Sequence, residues 1–387
     1  MPSTISLTNN TSIPIEEKIP QLQVCIDAIF GDSTAELVTF ICDDIGYKTP
    51  NFTTSGIFRL HGLVRVQNEQ KPWCVILKII KPDSAEKDSP AHHNYWRREA
   101  LVFESGVLNE LPDSIDAAES YLVEEQSDGT VWIWMEFIAG EHASTVEQFA
   151  YITRQLGRFN GAYLTGSRTM PTDEWLCKAW LKSWTTASRM YAPDMESYAR
   201  RIPGNKEQEL WAWYQGLLQH IDAALDSLEQ LPRVLAHQDL GQMNMLLVPD
   251  PARERRLVFI DWQFMSVSGI GEDLGKLFGA NMSMGVIPPD EYGHFQTSIY
   301  EAYLAGLRDA GWLGDADLAR YGFCMSTALR SVWEVPQFFS VMAQLEETPD
   351  NEELRERLNR LDGILALHQR MAAEAESLKP LLGMAIC

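Results

Sequence analysis

Cysteine is scarce in this sequence and follows no pattern. Cys25, Cys42, Cys74, Cys177, Cys324 and Cys387 are scattered along 387 residues, with no C-x-x-C pair and no histidine at ligand spacing. That argues against a zinc site or a disulfide framework and leaves reduced, mostly buried thiols as the simpler reading. Long hydrophobic runs are missing too: nothing reaches the roughly 18 apolar residues of a membrane-crossing helix. The opening, MPSTISLTNNTSIPIEEKIP, lacks a basic start followed by an apolar block. A signal peptide is not expected, and the cytoplasm is the default. Positive charge is in deficit, with 32 Lys and Arg against 54 Asp and Glu and a formal net charge of -22. Nucleic acid is a poor partner for such a chain, because phosphate contacts need basic patches. An acidic surface suits a cationic small molecule; it serves solubility equally well. Monomer and homodimer both remain open.

What is present reads as an α+β protein of two lobes. Apolar residues make up 45% of the chain, enough over this length for a substantial core. Strand-like segments dominate early: SGIFRLHGLVRVQ (55–67) and PWCVILKIIKP (72–82), joined by a polar NEQK turn, then SYLVEEQ and TVWIWMEFI. STAELVTFICDDIG (33–46) is expected to be a helix with Ser33 as its N-cap. NYWRREALVFESGVLNEL (94–111) is expected to be another, with Trp96, Ala100, Phe103 and Val107 at helical spacing. After Gly140 helical patterns dominate. The division falls at residues 1–136 and 137–387, and MEFIAG (135–140) lies at the change of composition.

The stretch LAHQDLGQMNMLLV (235–248) sets His237, Asp239 and Asn244 between apolar runs. Met245–Val248 and Leu257–Asp261 read as two strands around the turn PDPARERR. Paired antiparallel, they bring Asn244 beside Asp261, with Asp239 five residues ahead. Oxygen donors of this kind suit Mg2+, which binds few protein groups and keeps positions for water and phosphate oxygens.

The spacing D-x-x-x-x-N, a strand pair, then Asp is the catalytic arrangement of kinase-type phosphotransferases. His237-Gln238-Asp239-Leu240 through Asn244 resembles the H-G-D-x-x-x-x-N loop of the aminoglycoside phosphotransferase and choline kinase family. Ile260-Asp261-Trp262 is similar to its I-D-[FW] segment, and GEDLGKLFG (271–279) to its G-D-x-x-x-D-L-A continuation, with Asp273 in the place of the later Asp. The family's glycine after the histidine is Gln238 here. The resemblance implies a bilobal protein-kinase-like fold with ATP or GTP and Mg2+ as cofactors. It implies Asp239 as base, Asn244 and Asp261 as metal ligands, and His237 and Asp273 as structural support.

The same resemblance asks for a lysine on an early strand and a glutamate on the next helix. VILKII offers Lys78 inside an apolar run, where an ammonium is costly unless paired. YWRREALVFESGVL offers Glu99 and resembles the family's W-x-R-E-x-x-x-Y/F-x-x-G segment. Lys81, next to Pro82, is the alternative lysine. Thr54, Ser55 and Gly56, within NFTTSGIFRLHG (51–62), are placed to cover phosphates; a plain hairpin turn is the competing reading. For the purine, the resemblance implies the Glu136 carbonyl and the Ile138 N–H, with Met135 lining the pocket.

The acceptor would lie among the late helices, which are rich in tryptophan. Aromatic walls stack on cations and rings, although core packing between helices explains most tryptophans as well. Arg330, Trp333 and Glu334 stand out as substrate candidates on a helix before a proline. Only about a dozen residues separate Asp261 from Asp273, and no A-P-E closes the segment, so a small hydroxylated acceptor fits better than a peptide. A nucleotide-binding pseudokinase acting as an interaction module is the alternative. The complete set of motif residues argues against it.

Overall fold

The computed structural model describes residues 5–46, 53–252, 254–380 and 382–383. The early part consists of β1 (Ser6–Asn9), α1 (Ile19–Phe30), β2 (Glu36–Asp44), β3 (Thr54–Val66), β4 (Glu69–Ile80), α2 (Arg98–Ser105), β5 (Asp116–Ala117), β6 (Ser120–Glu125) and β7 (Val131–Glu136). Six of these strands form one sheet in the order β1-β2-β3-β4-β7-β6. β3 and β4 make its central hairpin. Gln67 and Asn68 turn it, both with positive φ (50° and 70°), the geometry of a tight two-residue hairpin turn. The turn is therefore Gln67–Asn68 rather than NEQK, and Glu69–Lys71 are already strand.

Alternation along β4 divides its side chains between the two faces of the sheet. Trp73, Val75, Leu77 and Ile79 pack toward α1 with Leu60, Val64 and Trp134. Ile80 faces the other way, toward Ala100 of α2, with Ile133 and Met135 of β7. Lys78 lies two residues from Ile80 on that same face, opposite Ile133 in register.

Two expected helices differ. Residues 33–46 contain strand β2, antiparallel to β3 and parallel to β1. Leu37, Phe40 and Cys42 are its buried residues. A β-bulge between Leu37 and Thr39 turns the period of two into a spacing of three, which imitates a helix. The helix expected over 94–111 is only Arg98–Ser105. Gly106 ends it in the left-handed conformation (φ 74°), and a short 3-10 turn follows.

The later part is mainly helical. It runs β8 (Glu141–His142), α3 (Val146–Leu164), α4 (Trp180–Tyr191), α5 (Glu196–Ala199), α6 (Asn205–Gln219), α7 (Ile221–Glu229), β9 (Arg233–Ala236), β10 (Met245–Asp250), β11 (Glu254–Phe259), β12 (Ser266–Gly269), α8 (Glu272–Ser283), α9 (Tyr292–Asp309), α10 (Ala316–Leu329), α11 (Ser331–Glu347) and α12 (Glu352–Leu378). This is the protein-kinase-like arrangement, a sheet-rich early part and a helical late one. None of the described helices is long and apolar enough to cross a membrane. Helices α3 and α9 cross with backbones almost touching, because Gly157 faces the Tyr303 carbonyl and Gly306 faces the Arg154 carbonyl. That contact fixes Asn160 of α3. Its amide donates to the Leu235 carbonyl at 2.9 Å and accepts from the Tyr303 hydroxyl at 2.7 Å. Strand β9, which leads into the polar loop, is thereby tied down from beneath.

Candidate active site

The loop after β9 is held by its backbone. Asp273, in the first turn of α8, accepts the N–H groups of His237 and Gln238, each at 2.9 Å. Burial pushes the Asp273 carboxyl up to about 6, and those two bonds pull the other way. Further along, Asn281 of α8 donates to the Leu240 carbonyl and accepts the Gln242 N–H at 2.8 Å. One helix thus fixes the loop at both ends.

His237 is fully buried against Phe259 and Trp262. Its Nδ1 accepts the Asp239 N–H at 3.2 Å, and its Nε2 lies 3.1 Å from the Ile260 carbonyl. These partners assign the proton to Nε2. Burial lowers the imidazole to about 4, so the ring is neutral near pH 7. Both nitrogens are committed, which suits a scaffold rather than a base.

Gln238 takes the family's glycine position with φ of 60°. A non-glycine residue is strained there. Its side chain donates to the Ser268 hydroxyl at 2.8 Å, which anchors the strained turn. Asp239 follows, about a quarter of its side chain exposed. Burial raises its carboxyl, with Lys276 opposing and Asp261 adding to the rise.

The hairpin forms as the spacing requires. Met245 pairs with Phe259, and the Ile260 N–H donates to the Asn244 carbonyl at 3.1 Å. Asn244 and Asp261 therefore stand at adjoining strand ends. The Asn244 amide donates to the Asp239 carbonyl at 2.8 Å and to its carboxylate at 3.0 Å. Asp261 sits in the left-handed region (φ 63°), a second strained non-glycine residue.

Lys78 joins the two parts. Its Nζ lies 2.6 Å from Glu99 Oε2 and 2.9 Å from Asp261 Oδ1. Burial opposes the ammonium's charge, but the two carboxylates outweigh it and raise its pKa. Glu99 is raised in turn by burial, against the pull of Lys78 and with Asp261 adding to the rise. One cation between two carboxylates leaves negative charge in surplus, and the less solvated of them, Glu99, carries the cost. Lys81 is exposed at the strand end.

The other expected residues are less sharply placed. Thr54, Ser55 and Gly56 begin β3, and Gly56 pairs with Ile79, next to Lys78. Thr54 Oγ1 is buried without a partner among the described residues. Asn51 and Phe52 of the same stretch lie outside the described residues. Met135 shares the Lys78 face of the sheet. Glu136 ends β7, its N–H on the Glu119 carbonyl at 2.8 Å, and Ile138 lies just beyond. Arg330 stands at the junction of α10 and α11, Trp333 is half-buried, and Glu334 is buried and accepts the Ser283 hydroxyl. The helix does not stop at the proline, because Pro336 lies inside α11.

Lys276, Arg98 and Asn281 are site residues that no sequence expectation covers. Lys276 Nζ approaches Asp239 Oδ1 to 3.4 Å and lies over the Trp180 ring. Arg98 is fully buried and donates to the carbonyls of Pro90, His92, His93, Trp175 and Gln263. It ties the start of α2 to the segment after Asp261.

A family model described as the phosphotransferase enzyme family matches residues 64–318, well over half of the chain. Among solved structures, an amicoumacin kinase in complex with AMP-PNP, Ca2+ and Ami is 14% identical, with a TM-score of 0.52 over 85% of this chain and 88% of that one. A choline kinase from Cryptosporidium parvum is also 14% identical, with a TM-score of 0.52 over 89% and 92%. At this identity the likeness is one of fold. No curated protein matches the sequence.

Proposed function

The chain belongs to the phosphotransferase enzyme family, and from that premise we propose that it moves the γ-phosphoryl group of ATP or GTP to a hydroxyl of a small molecule. The observation that carries this reading is Lys78 bridging Glu99 of α2 and Asp261 beyond β11, with Asp239 and Asn244 on the adjoining loop. On this reading residues 1–136 and 137–387 are two lobes with the nucleotide between them. The purine lies at Met135, the Glu136 carbonyl and the Ile138 N–H, and the phosphates lie under Thr54, Ser55 and Gly56.

The donor set fits Mg2+. Asn244 and Asp261 offer hard oxygen donors from adjoining strand ends, and Mg2+ takes few such ligands. When bound, the ion offsets charge on the phosphate oxygens. Lys78 does the same from the sheet side, and Glu99 keeps its ammonium aimed. Asp239 orients the acceptor hydroxyl and takes its proton as the hydroxyl oxygen bonds to the γ-phosphorus. The bond from that phosphorus to the bridging oxygen breaks, and the nucleoside diphosphate leaves. Phosphoryl transfer asks mainly for positioning and charge neutralisation, and these residues supply both. His237 and Asp273 hold the loop.

The test is transfer from Mg-ATP and Mg-GTP to a panel of hydroxylated compounds: aminoglycosides, macrolides, amino-alcohols, hydroxy acids and sugars. Asp239→Asn serves as the blank. Product from the wild type alone supports the assignment. Equal product from Asp239→Asn removes the base, and Mg-dependent nucleotide binding untouched in Asp261→Asn removes the metal ligand. Nucleotide binding with no product from any compound favours the interaction-module alternative.

A further inference from the structure

Arg330 and Arg98 are both buried, and the fold treats them differently. Arg98 has five backbone carbonyls around its guanidinium. Arg330 is nine-tenths buried, at 9% exposure, and among the described residues no hydrogen bond reaches its guanidinium. Its Nε is fully shielded and has no hydrogen-bond partner among the described residues. Glu334 forms an ion pair with the guanidinium at 3.7 Å, too long for a hydrogen bond, and the Glu334 Oε1 is already bonded by the Ser283 hydroxyl. A guanidinium keeps its charge in proteins and presents five donors in a planar fork. Burying one without acceptors is costly. The ion pair of Arg330 with Glu334 offsets the charge but fills none of its N–H positions, which leaves donors for a ligand beside the polar loop.

The surroundings point the same way. Gly279 of α8 leaves room for the Arg330 stem, which any side chain there would strike. The guanidinium carbon lies 5.6 Å from the centre of the Trp184 ring. Arg330, Trp184, Lys276 and Gln238 line one narrow gap next to the polar loop, and the buried Glu272 carboxyl, raised to about 7, borders the same gap. Lys276 in turn lies 3.4 Å from Asp239. A ligand gripped at Arg330 with Lys276 beside it would hold a neighbouring hydroxyl close to Asp239.

We propose that the acceptor carries, besides its hydroxyl, an anionic group, a carboxylate or a phosphate, received by the fork of Arg330 with Lys276 alongside. This rests on the phosphotransferase reading above. Planar oxyanions match a guanidinium through paired N–H bonds. The formal charge of -22 draws cations toward the surface at long range, but salt screens such fields beyond about 8 to 10 Å. Inside the site Arg330 and Lys276 are each already paired with a carboxylate, Glu334 and Asp239, and it is the unfilled N–H donors of Arg330 that remain for a ligand.

The experiment uses the full chain with Mg-ATP and reads ADP formation and product mass. The acceptors are glycerate, glycerol 3-phosphate, glycerol and choline. The first two separate a carboxylate from a phosphate, and the last two are neutral and cationic controls. The anions are expected to be phosphorylated in preference to glycerol and choline. Arg330→Gln should raise the acceptor KM at least tenfold with the KM for ATP unchanged, and Arg330→Lys should recover part of it. Preference for choline, or an acceptor KM unmoved in Arg330→Gln, overturns the inference. If no acceptor reacts, malonate and inorganic phosphate are titrated against thermal unfolding with Mg-ADP present. Stabilisation of wild type but not of Arg330→Gln supports the site, and equal behaviour overturns it. Failure of the phosphotransferase reading shows separately, as absence of Mg-dependent ATP binding.

Discussion

Lys276 Nζ stands 3.4 Å from Asp239 Oδ1. The ammonium comes from α8, one turn beyond the aspartate that holds the loop backbone. It therefore sets the charge environment of Asp239 from the same rigid helix that sets its position. Burial raises the Asp239 carboxyl, and Lys276 is the strongest influence opposing that rise. Removing the positive charge, as in Lys276→Met, must raise the carboxyl further. Only the ionised form accepts a proton, so the acid limb of kcat/KM should move to higher pH. A pH–rate profile checks this. A limb that stays in place would separate Lys276 from the chemistry.

Lys78 and Glu99 offer a test by non-additivity. Glu99 is buried and its role in the reaction runs through the ammonium it holds at 2.6 Å. Lys78→Met should cost on the order of 10² in kcat, the scale for losing one electrostatic stabiliser. Glu99→Gln should cost less, because Asp261 still holds the ammonium at 2.9 Å. The double variant should be no slower than Lys78→Met alone, since residues that act as a unit do not add. Costs that multiply would mean that Glu99 works independently of Lys78.

The parts of the site legible in the sequence are those with local spacing. Asp239 to Asn244, the hairpin and Asp261 follow from one continuous stretch, and strand pairing alone brings their ends together. Lys78 stood out as a charge inside an apolar run. The same rule applies to Lys276 within LGKLFG. Arg98 and Asn281 gave no such signal, because their partners are backbone carbonyls and amides brought close only by folding. In the fold, β2 departs from the expected helix because its bulge spaces buried residues as a helix does. The expected helix over 94–111 ran on past Gly106, whose left-handed conformation stops it.

Gln238 at a left-handed position predicts an order of stabilities. Gln238→Gly removes the backbone strain and also the bond to Ser268. Gln238→Ala removes the bond and keeps the strain. A non-glycine residue in this region costs roughly 1–2 kcal/mol, so the alanine variant should be less stable than the glycine variant by about that amount. Urea unfolding of the three proteins checks this. Equal stability of the two variants would mean that the turn relaxes away from positive φ once Gln238 is gone.

His368 predicts a pH dependence of stability that is distinct from the catalytic one. It is fully buried, its Nδ1 lies 2.9 Å from the Ser331 hydroxyl, and its Nε2 has no partner among the described residues. Burial, with Arg330 adding to it, lowers the ring to about 3. In the unfolded chain a histidine titrates near its ordinary value of about 6.5. Between these values the unfolded chain binds a proton that the folded one does not, so stability falls as the pH falls. The slope from this single group is at most about 1.4 kcal/mol per pH unit. The contribution is full above about 6.5 and is lost as the pH drops toward the folded value. Buried carboxyls with raised values, such as Glu272 at about 7, act in the opposite sense, so the total curve does not isolate the histidine. The difference between wild type and His368→Gln does, because the carboxyls cancel. Chemical unfolding at pH 7, 6 and 5 should show wild type losing stability relative to the variant at each step. A flat difference would mean that water or protein groups reach the ring and let it charge in the folded state.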